Sequence, residues 1–320
     1  MNRIAKESDH PVAEGKRFVV AGVGEALWDI LPAGSRVGGA PANFAYHAAI
    51  LGAESHVVSA VGDDALGCEL RNFLEAQGLY TRTLSVIPSA PTGTVSVSLA
   101  QDGKPRYHVA DDAAWDKITC GEQEESLAGR LDAVCFGTLA QRSKTSRAAI
   151  RRFLTLTRPG CLRILDVNLR GEYFDGDLIG ASIKLANILK LNDEELPVMC
   201  RLLGVPGDEN AALPFLLKNF NLRLVALTKG AEGCRVVTRN EDVHAAGAPI
   251  GRIADTVGAG DSFAAMLAMG LLEQWPPALI AARSNRLAAF VCSMPGGMPV
   301  IPANVLGAII GAGQAIETDR

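Results

Sequence analysis

The chain has 320 residues, enough to bury a large core. Its 31 basic and 35 acidic residues leave a net charge of −4, so no bulk attraction favours a polyanion and nucleic acid is excluded as a partner. Seven cysteines, none closer than fifteen positions to the next, offer neither zinc spacing nor a disulfide framework and suit a reducing, cytoplasmic setting. Residues 1–16 are polar and read as a loose N-terminal tail, not a secretory signal. Residues 18–23 predict a strand and 41–51 a helix, with Pro41 in its first turn. A strand follows at 56–61, then a helix at 64–77 with Leu66, Leu70, Phe73 and Leu74 on one face and Gly78 as its stop. Further strands are expected near 133–136, 163–167, 188–191 and 224–227, each separated by helical spacing. Repeated strand–helix units predict an α/β fold, a mostly parallel sheet with helices on both faces. Two segments break the rhythm: Gly-rich, extended 28–39, and alternating 94–99, which with the Asp102-Gly103 turn and 106–109 predicts a hairpin. Together they predict a small antiparallel β lid, from about 27–40 and 92–112, over the strand ends where ligands bind; a surface hairpin without a role is the alternative. The uncharged stretch 287–316 is broken by Pro295, Pro299, Pro302 and the Gly296-Gly297 pair into pieces too short to span a membrane. It predicts a buried helix, a loop and a second buried helix.

The most informative segment is Asp255-Thr256-Val257-Gly258-Ala259-Gly260-Asp261, which leads into an apolar helix. A helix start carries amides without internal partners and the positive end of the peptide dipoles. Gly258, Ala259 and Gly260 leave those amides open to an anion, so the turn reads as a phosphate cradle with Asp261 as a proton acceptor beside it. An ordinary glycine turn with an Asp cap is the plainer alternative. Gly22-Val23-Gly24 begins like a dinucleotide fingerprint but lacks the third glycine, which argues against a nicotinamide dehydrogenase; no P-loop is present either, so a nucleotide would be held by another device. Gly38-Gly39-Ala40-Pro41-Ala42-Asn43 opens another helix. Its glycine amides, the Asn43 amide and the Asp29 carboxylate together suit a polyol; a loop with a cap residue is the alternative.

Both segments resemble the signatures of the ribokinase-like (PfkB-type) carbohydrate kinase family, the first over 38–62 and the second over 255–267 except at Met266, where the family usually has Ala or Gly. The resemblance continues through Val61-Gly62-Asp63-Asp64-Ala65-Leu66-Gly67, Asp166-Val167-Asn168-Leu169-Arg170, Leu191-Asn192-Asp193-Glu194-Glu195 and Thr228-Lys229-Gly230-Ala231-Glu232-Gly233. It implies a three-layer α/β/α kinase domain over 17–316 with the lid inserted in it, transferring the γ-phosphoryl group of ATP to a hydroxymethyl group. Asp261 matches the family's base, and the amides of Gly258, Ala259 and Gly260 would neutralise the phosphoryl group. Asn192 and Glu195 match an element that organises Mg²⁺ through water, although this spacing is also that of a capping box. Thr228, Gly230, Gly233 and Asn285 match nucleotide-binding positions. Asp255, with carbonyls of the 293–297 loop, matches a monovalent-cation site that would take K⁺. Asp29, Gly38, Gly39, Asn43, Asn168 and Arg170 match the sugar side, where Arg170 would face the phosphoryl group or a substrate carboxylate, or else pair with Asp166 or Glu172. Trp28, Tyr107 and Trp115 would pack a sugar face or anchor the lid, with core packing the plainer reading, and the five histidines show no metal spacing. The segments Gly24-Glu25-Ala26-Leu27-Trp28-Asp29 and Ala114-Trp115-Asp116 look most like bacterial fructokinase-type members, so the expected substrate is a ketose such as fructose. The rivals are a 2-keto-3-deoxygluconate kinase, a nucleoside kinase and a non-catalytic regulator on the same fold. An exposed lid edge predicts a homodimer.

Overall fold

Short strands that are apolar throughout, such as Ala133–Phe136, need cover on both faces. The computed structural model describes residues 17–31, 34–99 and 105–311; the tail at 1–16, the Asp102-Gly103 turn and the end of the expected domain at 312–316 lie outside the described residues. The main sheet is built from β1 (Val19–Val23), β4 (Glu54–Gly62), β5 (Leu84–Ile87), β8 (Ala133–Phe136), β9 (Leu162–Asp166), β10 (Ile188–Asn192), β11 (Leu224–Thr228), β12 (Cys234–Thr238) and β13 (Asp242–Ala245). Their order is β13-β12-β11-β10-β9-β8-β1-β4-β5. Only the pairings of β12 with β11 and with β13 are antiparallel.

Alternate residues of each strand feed two cores. Val20, Cys135, Ile164 and Ile188 pack under α1 (Ala40–Ile50), α8 (Ala259–Leu272) and α9 (Pro277–Cys292). Val23, Phe136, Leu165 and Leu189 pack on the other face, against α4 (Lys144–Thr155), α5 (Gly176–Leu185), α6 (Glu195–Leu203) and α7 (Glu209–Asn219). The helix α2 (Ala65–Ala76) buries Leu70 and Leu74 against α1 and β4, and Asp64 caps it by accepting the Gly67 N–H.

A second, four-stranded sheet stands apart from the first in the order β3-β2-β6-β7: β2 (Leu27–Leu31), β3 (Gly34–Gly38), β6 (Gly93–Leu99) and β7 (Pro105–Val109). Its two outer pairings are antiparallel and the central pairing of β2 with β6 is parallel. Asp64 anchors its base, accepting from both the amide and the hydroxyl of Thr92, while the Trp28 indole N–H donates to the Leu66 carbonyl. One expectation needs correction. The helix α10 (Ala303–Gly311) is not a buried element: among its residues only Ile309 is buried, because it lies on the outside of α9.

The Gly22-Val23-Gly24 stretch has a packing explanation. A methyl group on Gly22 would stand 1.9 Å from the Pro41 carbonyl oxygen, and one on Gly24 would stand 2.8 Å from the Pro41 ring. These glycines let the start of α1 lie directly on the end of β1. Gly22→Ala should therefore cost about 3 kcal/mol, measured as a lower midpoint in urea unfolding.

Candidate active site

The site forms where the carboxyl ends of β1, β9, β10 and β11 meet the starts of α1 and α8. Gly258 precedes α8 with φ at +79°, and a methyl group there would lie 2.5 Å from the Gly297 Cα. Both facts require glycine. In the first turn of α8 the Ala259 N–H makes a long, 3.4 Å bond to the Thr256 carbonyl and the Ser262 N–H closes the first helical bond to the Gly258 carbonyl, while the amides between them are those a helix start leaves without an intrahelical carbonyl. Asp261 lies in that turn, 7% exposed, and its Oδ2 accepts a 2.7 Å hydrogen bond from the Asn43 side-chain amide on α1. The two signature segments thus meet in one contact. The same face of α1 holds the 293–297 loop and its neighbour: His47 Nε2 bonds the Gly297 carbonyl at 2.9 Å, and the Tyr46 hydroxyl donates to the Pro299 carbonyl at 2.8 Å. Sequence reading passed over both residues, although their spacing from Asn43 puts them on one helix face.

Burial dominates the electrostatics. It raises Asp261 to about 6, with Asp166 adding to the rise and Asn43, Lys190 and Arg170 opposing it. Burial also lifts Glu25 to about 7, offset in part by main-chain N–H groups of Glu25 and Ala40 and by Arg170. Glu25 Oε2 is buried without a hydrogen-bond partner among the described residues. Asp29 is raised to about 6, by burial first and then by Asp255, against Arg170 and Arg36. Glu25, Arg36, Asp166 and Lys190 all belong to this charge set, and none was assigned to it from the sequence.

Around Asp29, a methyl group on Gly38 would lie 2.4 Å from Asp29 Oδ2, and Gly39 sits at φ +103° with its open side 2.4 Å from the Glu25 carbonyl oxygen. Arg36 lies opposite Asp29 across β2 and β3, and its guanidinium stands 3.5 Å from Asp255. The Asp255 carboxylate also accepts the N–H groups of Val257 and Gly296. Asn168 holds a left-handed φ of +43°, unusual for a residue with a side chain, and its Nδ2 is buried without a protein partner. Its Oδ1 accepts from Arg170, which is exposed and also donates to its own Leu169 carbonyl.

On the opposite side, Asn192 and Glu195 form the reciprocal bonds of a capping box. Asn192 Oδ1 accepts from the Glu195 N–H at 2.8 Å, and Glu195 Oε2 accepts from the Asn192 N–H at 2.8 Å. Glu195 Oε1 accepts the Leu169 N–H. With each of these oxygens already taking a main-chain N–H, the pair suits a hydrated ion held through water. No group of three or more metal-ligating side chains occurs among the described residues. Gly230 and Gly233 carry the left-handed turn after β11; a methyl group on Gly233 would collide with the Ala245 carbonyl oxygen at 2.0 Å. Thr228 stands at the end of β11, half-exposed. Asn285 spends its side-chain amide on the Ala245 and Ala246 carbonyls, so it ties α9 to the chain after β13. Trp115 is wholly buried beneath the Arg142 guanidinium, as a packing residue.

A carboxylate that can take up a proton near neutral pH, set where a helix start can receive a phosphoryl group, is equipment for phosphoryl transfer rather than hydride transfer. Residues 33–304 match the model of the pfkB family carbohydrate kinases, and the chain belongs to that family. It is an ATP-dependent phosphotransferase acting on a sugar hydroxyl. It is 28% identical over 309 residues to a fructokinase of Klebsiella pneumoniae, covering 90% of this chain and 96% of that one. An uncharacterized sugar kinase of Pyrococcus horikoshii superposes with a TM-score of 0.78 at 26% identity, covering 90% of this chain and 96% of that one. A double mutant of the Vibrio cholerae fructokinase, solved with fructose, ADP and potassium ion bound, superposes with a TM-score of 0.77 at 25% identity, covering 92% and 98%. Among the described residues no helix is long and apolar enough to cross a membrane.

The buried Glu25 carboxyl makes stability depend on pH. Its folded value, about 7, lies above the ordinary 4.5, so its contribution is complete below about 4.5 and lost as pH rises through 7. Glu25→Gln should be more stable than the parent at pH 8, by roughly 3 kcal/mol at most, and nearly equal to it at pH 4, as read by denaturant unfolding at the two pH values.

Proposed function

We propose that this kinase transfers the γ-phosphoryl group of ATP to the terminal hydroxyl of a neutral ketose, with fructose the leading candidate. The observation that carries the proposal is the 2.7 Å bond between Asn43 and Asp261, which sets an amide suited to a polyol beside a base. Asp29, Asn43, Asn168 and the Gly38 and Gly39 amides would orient the sugar so that one hydroxymethyl group reaches Asp261. Asp261 would accept the hydroxyl proton as the oxygen attacks phosphorus, while the amides of Gly258, Ala259 and Gly260 take up the charge of the transferring group. The unpartnered Nδ2 of Asn168 has the chemistry to donate to a sugar oxygen. Arg170, exposed and with no carboxylate partner in its hydrogen bonds, would face the phosphoryl group.

A neutral sugar is favoured over a sugar acid because the second cation on this side, Arg36, already faces Asp255 and Asp29. The fructokinase names of several relatives point the same way. The nucleotide would lie along Thr228, the turn of Gly230 and Gly233, and the wall that Asn285 supports. Asn192 and Glu195 would hold Mg²⁺ through its waters, and the ion would supply charge neutralisation at the β- and γ-phosphates. At Asp255 we infer that the Arg36 guanidinium supplies the positive charge that the family resemblance gives to K⁺. The seven unpaired cysteines suit a reducing compartment such as the cytoplasm.

A coupled ADP-release assay over ketohexoses, 2-keto-3-deoxygluconate and nucleosides should give the highest kcat/KM with fructose, and nearly the same rates in potassium and choline salts. A preference for the sugar acid or a nucleoside would overturn the substrate assignment, and a strict potassium requirement would overturn the role given to Arg36. Asp261→Asn should leave sugar affinity by calorimetry nearly intact while kcat falls roughly 10²- to 10⁴-fold. In the parent enzyme, activity should fall with acid pH through an apparent value near 6, because the base must be unprotonated to act.

A further inference from the structure

The reaction as described leaves the buried pair of Asp166 and Lys190 without a role. Asp166 ends β9 and Lys190 lies within β10, and the strand register sets them opposite each other. Lys190 Nζ stands 2.9 and 3.2 Å from the two Asp166 carboxylate oxygens. Lys190 is 3% exposed and Asp166 is 2% exposed. Burial of such a pair gives little or no net stability over an apolar pair of the same volume. Its location suggests another use. Both residues project toward α8, on the sheet face that otherwise carries Leu162, Ile164 and Ile188. A methyl group on Gly260 would stand 2.6 Å from Lys190 Nζ, so the ammonium lies immediately beneath the phosphate turn. Gly260 is thus open on two counts: to a phosphoryl group outside and to a lysine inside.

The charged and titratable groups around Asp261 come from several elements: Asp166 from β9, Lys190 from β10, Cys135 from β8, Glu25 just beyond β1, and Arg170 beyond β9. The Asn43 amide is the neutral neighbour. Lys190 in turn faces Glu195 as well as Asp166 and Asp261.

We propose that Lys190 is a positioning residue for phosphoryl transfer: locked to Asp166, its ammonium supports the Gly260 turn from below and balances the Asp166 charge beside the base. This deepens the kinase reading and rests on Asp261 as the base. In that reaction the acceptor hydroxyl proton passes to Asp261 as the new oxygen–phosphorus bond forms, and the bond from the γ-phosphorus to its bridging oxygen breaks to release ADP. Lys190 exchanges no proton. It keeps a second carboxylate near the base from raising the proton affinity of Asp261 before the hydroxyl arrives. It also places a cation in a low-dielectric region under the incoming phosphoryl group, where its field is poorly screened.

The test compares Lys190→Met, Asp166→Asn and the double variant D166N/K190M, in which no buried charge is left unpaired. Each is checked for the parent fold by circular dichroism, and kcat is followed from pH 5 to 9 with saturating sugar and ATP. Lys190→Met should move the acid limb of kcat to higher pH by about one unit and lower kcat at pH 8 by about tenfold or more. Asp166→Asn should move the limb to lower pH. The double variant should bring the limb back near the parent position, yet keep a kcat at least about fivefold below it, since the cation under the turn is gone. A limb that stays in place in Asp166→Asn would overturn the proposal even if Lys190→Met fails to fold. Full parent kcat in the double variant would also overturn it. Asp261→Asn, run alongside, separates the two levels: parent activity there would sink the base assignment itself, whereas its collapse together with silent Lys190 and Asp166 variants would sink only the role given to Lys190.

Discussion

A single side-chain hydrogen bond, from the Asn43 amide to the Asp261 carboxylate, joins two helix starts separated by 218 positions. That bond requires both helices to approach the sheet edge more closely than ordinary side chains allow. Gly22 lets α1 rest on β1, and Gly258 lets the start of α8 rest on Gly297. His47 and Tyr46 then pin the neighbouring loop to the same face of α1. The glycines of the two signatures are therefore spent on packing as much as on leaving room for a ligand. The position of the Asp261 carboxylate follows from the packing.

The second organising constraint is charge in a dry place. Glu25, Asp29 and Asp261 are all raised, each chiefly by burial, and they share the field of Arg170. Concentrating carboxylates at one sheet edge would repel an incoming phosphate in isolation. Arg170, Arg36 and Lys190 offset that repulsion in different positions: one exposed at the mouth, one paired to Asp255, and one sealed beneath the turn. The result suits a reaction in which a neutral alcohol gives up a proton while an anion arrives. Under the proposed mechanism, the carboxylate that would take the proton is already biased toward holding it, and the anion would meet fixed dipoles and cations instead of water.

Much of the layout was legible from local pattern. The strands 133–136 and 224–227 were readable because uninterrupted apolar runs have one stable place, the interior of a covered sheet. The helix 64–77 was readable from its Leu70 and Leu74 stripe and its Gly78 stop. Other features escaped. The last helix was read as buried because it is apolar, but apolar composition does not say which neighbour will cover it. The bonds from the Asn285 amide to two carbonyls about 40 positions earlier could not be read from the sequence either, because they join segments that meet only in the fold. Lys190 carried a signal that went unused: a lone lysine inside the strand Ile188–Asn192, in a sheet with no wet face, demands a buried partner.

By itself the sequence determined what depends on near neighbours along the chain: which segments fold as strands and helices, and where glycine is needed. Backbone preference and periodic burial act over a few residues, so they can be read in order. Only the tertiary structure decided the chemistry of the individual groups. Whether a carboxylate is a base, a cap or half of an ion pair depends on water exclusion and on charges brought in from distant strands. Asp166 and Lys190 become a pair only when β9 and β10 lie side by side, and Asp261 takes its character from both.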